Sequence, residues 1–151
     1  MKLPMLAAAC ATLLGLTACA TNGNLRDSDK LALYQSHAGE PVGSFNFFGR
    51  LNGWTPLGDS ALVVWTKPSE AWLLELTGPC QDMAYAPAIG LTSNMNRVYA
   101  RFDKVLVNSP GSMGIPCHIQ QIRPLDVKAV RASEKELREA RVQEREAEAT
   151  Q

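Results

Sequence analysis

A basic Lys2, an apolar run from Leu3 to Leu16 and small residues up to Cys19 open the chain. This is the layout of a secretory leader, and it bounds the fold before any strand or helix is read. The run is interrupted by Pro4, Gly15 and Thr17 and falls short of the roughly 20 apolar residues that a membrane-spanning helix needs, which is the competing reading. Removing residues 1–18 from the 151 leaves 133, enough for one domain with a core of its own and too few for two comfortable ones. Export also places what remains in an oxidising compartment, so any disulfide becomes part of the folding problem.

The string Leu16-Thr17-Ala18-Cys19 resembles the lipobox of bacterial lipoproteins, in which the thiol receives a diacylglycerol and the leader is cut off before it. The resemblance implies that Cys19 is the first residue of a protein held to a membrane by lipid, with Ala20 and Thr21 after it and no Asp at the second position. By similarity to lipoprotein sorting signals, that pattern implies the outer membrane, facing the periplasm. Plain secretion with Cys19 as an ordinary thiol stays open as the alternative. Several acyl chains anchor stably where one holds only marginally.

Of the four cysteines, Cys10 departs with the leader and Cys19 carries the lipid, leaving Cys80 and Cys117. A lone pair in an oxidising compartment reads as one disulfide. The rival, a metal site on Cys80, Cys117 and His118, lacks a Cys-x-x-Cys or His-x-x-x-His spacing. The 15 basic and 15 acidic residues balance, and losing Lys2 leaves the mature chain one charge negative. That balance gives no nucleic-acid surface.

Residues 19–27 are small and polar, a flexible tether. Asp27 is a candidate cap for a helix over 28–38 with Leu31, Tyr34 and Ala38 on one face, stopped by Gly39. The period then changes. Val42–Leu51 holds Phe45, Phe47 and Phe48, and Asn52-Gly53 after it predicts a hairpin returning through Trp54–Leu57. Pro56 puts that return strand at an edge. Leu62–Trp65 is apolar on both parities, a strand covered on both faces. Its partner is Ala71–Leu76 across a Lys67-Pro68-Ser69-Glu70 turn, with a short helix from Ser69 as the alternative. A helical turn over 82–86 and a short strand over 89–92 follow. Val98, Ala100 and Phe102 alternate with Arg97, Tyr99, Arg101 and Asp103, which predicts a strand with one wet face running on through a bulge near Lys104 into Val105–Val107. The last strand is Cys117–Arg123, and Ser133-x-x-Glu136 is a capping box opening a charged tail. The whole is a mainly β (α+β) domain over 28–131, a small antiparallel sheet or partly open barrel with an N-terminal helix. Residues 132–151 form a charged helix or a disordered tail.

No nucleophile elbow, Walker loop, dinucleotide glycine pattern or zincin motif is present in the sequence, and nothing calls for a cofactor. His118 beside a half-cystine reads as a strand-face residue, and His37 near a helix end as a cation at the dipole's negative pole. The polar residues that stand out are Arg97, Arg101, Asp103, Arg123 and Asp126. They pair across the sheet, Arg101 or Arg123 with Asp103 or Asp126, or they line a basic groove for anions. Trp54, Trp65, Trp72 and Tyr99 build the core or line an apolar pocket.

Ala38-Gly39-Glu40-Pro41-Val42, Gly53-Trp54-Thr55-Pro56-Leu57-Gly58-Asp59, Gly78-Pro79-Cys80, Arg101-Phe102-Asp103-Lys104-Val105, Cys117-His118-Ile119 and Ile122-Arg123-Pro124-Leu125-Asp126 together resemble domain of unknown function 6491, an uncharacterised family of small Gram-negative lipoproteins. The resemblance covers about Lys30 to Val130 and implies the domain boundary and the cysteine pair, with no activity to carry over. The functional expectation is an envelope lipoprotein acting as a non-enzymatic binding or structural module, with the C-terminal tail as a contact for an envelope protein. The alternative is a periplasmic hydrolase using Asp103 or Asp126.

Overall fold

A computed structural model describes residues 26–108, 114 and 116–149. The expected leader, the expected lipidation site Cys19 and most of the expected tether lie outside the described residues. The elements in order are α1 (Asp27–Ser36), β1 (Ser44–Asn46), β2 (Gly53–Pro56), β3 (Ala61–Lys67), β4 (Glu70–Leu76), a 3-10 turn (Met83–Tyr85), β5 (Ala88–Leu91), β6 (Arg97–Tyr99), β7 (Lys104–Asn108), β8 (Pro116–Pro124) and α2 (Val127–Ala149). Six strands form one antiparallel sheet in the order β2-β3-β4-β8-β7-β5, curled into a half-barrel. β1 and β6 form a separate two-stranded ribbon.

The double-faced apolar run predicts the layering correctly. On the inner face of the half-barrel, Leu62, Val64, Leu74, Val105, Val107, Ile119 and Ile122 pack with Phe45, Phe47 and Val98 from the ribbon segment. On the outer face, Ala61, Val63, Ala71 and Leu73 pack under Tyr34 of α1 and Val127 and Val130 of α2. β3 and β4 therefore bury both parities, each fully buried aliphatic side chain contributing about 1.5–3 kcal/mol. β2 lies at a sheet edge, as Pro56 requires. The Cys80–Cys117 disulfide forms, with Cα atoms 5.7 Å apart, and both residues are buried in the inner core. It consumes the two thiols that the metal reading needed.

Four expectations are corrected. Asn52-Gly53 does not turn β1 back onto β2: Asn52 N–H donates to Trp65 O at 2.7 Å, and Gly53 already opens the β2 ladder opposite Trp65. β1 pairs instead with β6, Phe45 opposite Val98, because that places Phe45 and Phe47 over the open half-barrel, where burial outweighs a local turn preference. Second, 97–107 is not one bulged strand. It breaks at Ala100–Phe102, where Arg101 has φ +68°, and β6 and β7 belong to different sheets. The predicted wet and dry faces invert there, with Phe102 81% exposed and Asp103 9%. Third, α2 starts six residues before the capping box: Ala129 N–H donates to Asp126 Oδ1 at 3.0 Å, which makes Asp126 the cap. Ser133 and Glu134 face α1 instead, Ser133 Oγ 2.9 Å from His37 Nε2 and Glu134 Oε1 accepting from the Tyr34 hydroxyl at 2.7 Å.

Last, α1 starts at Asp27 without a side-chain cap and ends at Ser36, short of Gly39. Gly39 is needed for contact rather than for a stop. Its N–H donates to Pro124 O at 2.8 Å, and a Cβ there would lie 3.1 Å from Pro124 Cγ.

Candidate functional site

Where β3 turns into β4, the ribbon crosses the inner face and leaves a cleft of about 320 Å³. Phe45 of β1 stacks on Trp72 of β4 with ring centroids 5.1 Å apart and planes 17° from parallel, which glues ribbon to sheet and forms the apolar part of the cleft wall. Asn46, Phe48 and Arg50 come from β1 and the segment after it, Thr66, Lys67 and Glu70 from the β3–β4 turn, and Arg97 from β6. Phe48 is 77% exposed, an aromatic lip on an open site.

The electrostatics of the cleft favour anions. Glu70 is its one acid among the described residues, and it is engaged twice: Lys67 Nζ donates to Oε2 at 2.9 Å and the Thr66 hydroxyl to Oε1 at 2.5 Å. The Lys67 ammonium, followed by the Thr66 hydroxyl, holds the Glu70 carboxyl below the usual glutamate range, and the Trp72 indole adds to this. Trp72 Nε1 is shut from water and has the Glu70 carboxylate as its neighbouring acceptor, just outside ideal hydrogen-bonding geometry. Arg97 spends only Nε, on Asn46 Oδ1 at 3.2 Å. The Arg50 side chain is exposed and makes no hydrogen bond or ion pair among the described residues. Against one neutralised carboxylate there are two guanidinium groups with donors to spare.

The five polar residues that stand out in the sequence do not converge. Arg97 is in the cleft. Arg101 and Phe102 tip the tight turn after β6, and Arg101 borders two shallower depressions of about 460 and 520 Å³. Asp103 lies beneath that turn, Oδ2 accepting from Tyr99 N–H at 2.7 Å and Oδ1 from the Thr92 hydroxyl at 2.6 Å. Arg123 donates to Gly39 O and Ala38 O at 2.8 and 3.0 Å, and Asp126 caps α2. The expected cross-strand ion pairs are absent among the described residues. The backbone claims these groups first: both acids accept from N–H donors, and Arg123 satisfies the two carbonyls that follow α1.

The aromatics part company too. Trp72 lines the cleft, Trp54 lies at the seam between β2 and β5, and Trp65 is on the outer face under the Arg131 guanidinium, 5.6 Å from the ring centroid. Sequence reasoning missed Arg50, Lys67 and Glu70. Their signal was the turn at 67–70, but only the β1–β6 pairing brings Arg50 and Arg97 to it.

The first described residues enter the domain far from this site. Asp27 lies against the β2–β3 turn, where a Cβ on Gly58 would sit 3.4 Å from Asp27 Cβ, and β3 runs from that turn through its 7 residues to the cleft at Lys67, about 20 Å at the rise of a strand. Among the described residues no group of three or more His, Cys, Asp or Glu is placed to hold a metal. The model of a family described as Family of unknown function (DUF6491) matches residues 1–141. No curated protein and no solved structure matches the chain.

Proposed function

The chain belongs to the Family of unknown function DUF6491, and on that footing we propose that it is a cell-envelope lipoprotein, anchored through lipid on Cys19 at the periplasmic face of the outer membrane, whose domain is a non-enzymatic binding module. The observation that carries the binding reading is the open cleft with unspent guanidinium donors of Arg50 and Arg97. Its position at the end of β3 remote from the tether supports a domain that presents a ligand site away from its attachment point. The exposed last turns of α2, residues 142–149, are the second contact in this reading, offered to an envelope protein. A hydrolase built on Asp103 or Asp126 would have to give up the turn or the helix start that these carboxylates hold.

The test is chemical and cellular. Mass spectrometry of material from a Gram-negative host should find Cys19 as the acylated N-terminus, and the protein should fractionate with the outer membrane while Cys19→Ser does not. Co-purification after mild crosslinking should recover an envelope partner that is lost when the chain ends at Arg141. A product that keeps Met1 and stays in the cytosol would overturn the anchoring reading.

A further inference from the structure

The cleft's chemistry narrows what it can hold. A guanidinium presents its donors in a flat fork that fits a carboxylate or a phosphate edge-on, and among the described residues one such fork is without a partner at Arg50 and another is engaged only through Nε at Arg97. The single carboxylate is already neutralised by Lys67 and Thr66, so it does not repel an incoming anion as a free acid would. The wall beside these cations is aromatic: Trp72 backed by Phe45, and Phe48 standing out at the lip. An exposed phenylalanine next to free arginines gains by covering, and a flat apolar group stacks on such rings at low cost.

We propose that this cleft binds a small organic anion, a phosphate monoester or carboxylate carried on a flat apolar body, with the anion between the Arg50 and Arg97 guanidinium groups and the body against Trp72 and Phe48. This rests on the binding reading above and names its ligand class. At about 320 Å³ the space is at the lower end of ligand pockets, which suits one ring with its anionic group.

The experiment is a titration of the whole exported protein at constant ionic strength with phenyl phosphate, benzoate, inorganic phosphate and phenol, followed by tryptophan fluorescence and by the amide and indole N–H NMR signals. Phenyl phosphate or benzoate should saturate and shift the Trp72 indole together with amides in 44–50, 66–72 and Arg97. Whichever binds tighter identifies the anion. Inorganic phosphate and phenol should each bind at least about tenfold more weakly, since each offers only half of the recognition. Arg50→Gln and Arg97→Gln should each weaken binding about tenfold. Arg50 is exposed and makes no hydrogen bond or ion pair among the described residues, so its variant stays informative even if the Arg97 variant unfolds. Absence of saturation, shifts scattered over the surface, unchanged affinity in Arg50→Gln, or inorganic phosphate binding as tightly as phenyl phosphate would each refute the proposal. Preferential binding of phosphatidylglycerol vesicles through the same arginines would reassign the surface to a membrane and refute it as well. None of these readouts depends on Cys19, so loss of the anchoring reading is seen separately.

Discussion

Asp103 uses both carboxylate oxygens to close the turn that displays Arg101 and Phe102, one on Tyr99 N–H and one on the Thr92 hydroxyl. The same Thr92 oxygen accepts from Lys104 N–H at 2.9 Å, so three polar groups depend on one side chain. This also holds Arg101 at φ +68°, a conformation that a residue with a Cβ adopts only when its surroundings impose it. Asp103→Ala leaves a backbone donor and a hydroxyl without their acceptor and should cost about 2–3 kcal/mol in urea unfolding. A loss below about 0.5 kcal/mol would mean that the turn is held by the chain on either side of it. Tyr34 supplies a pH-dependent counterpart. Burial, and next the hydrogen bond to Glu134, push its phenol well above the ordinary tyrosine value. A raised pKa favours the fold while the phenol is neutral, so this contribution is complete below about pH 10 and falls as pH rises towards the folded-state value, because the unfolded chain ionises first. Tyr34→Phe should therefore be less stable than the parent by about 1 kcal/mol at pH 8, with the gap shrinking by pH 11. A gap independent of pH would show that the phenol does not stay neutral on folding.

The elements most legible in the sequence are those whose pattern and packing agree. β3 and β4 are apolar on both parities and are covered on both faces, so their period and turn suffice. The hairpin at Asn52-Gly53 and the long strand through Phe102 were misleading because local turn chemistry and alternation say nothing about the ribbon that closes the half-barrel. Only the three-dimensional pairing of Phe45 with Val98 shows that segment's use, and with it the cleft. The same limit applies at α2, where Ser133-x-x-Glu136 has the form of a cap but Asp126 does the capping. The helix's role divides at residue 141. Up to there Val127 and Val130 are buried and Ser133, Glu134, Leu137 and Arg141 are half-buried, while 142–149 are exposed. A chain ending at Arg141 should keep the parent's stability to within about 0.5 kcal/mol. One ending at Ala132 removes the partners of His37 and Tyr34 and should lose about 2 kcal/mol or more. Equal unfolding midpoints for the two would show that α1 does not rely on α2 beyond its first turns.

Across the whole molecule, the Cys80–Cys117 bond encloses one strand of the ribbon, β6, but not its partner β1. Its 37-residue separation takes in the 3-10 turn, β5, β6 and β7, whereas β2, β3, β4, both helices and most of β8 lie outside the loop. The chain-entropy estimate for a loop of this length is about 4 kcal/mol, an upper figure because native strain and residual unfolded structure reduce it. With a urea slope of about 2 kcal/mol/M for a domain of this size, reduction should lower the unfolding midpoint by up to about 2 M. The loss should not be uniform. β3 and β4 pair with each other and share a second core under the helices, neither of which involves the disulfide. β6, by contrast, belongs to the enclosed segment and has β1 as its one strand partner among the described residues. Amide exchange after reduction should therefore accelerate first in β5, β6 and β7, with β3 and β4 the last to open. Because the ribbon contributes Phe45 and Arg97 to the cleft, phenyl phosphate binding should weaken before β3 and β4 lose protection. Uniform acceleration across all strands would mean that the half-barrel opens as one unit, and the cleft would then report on global unfolding instead of the redox state of one bond.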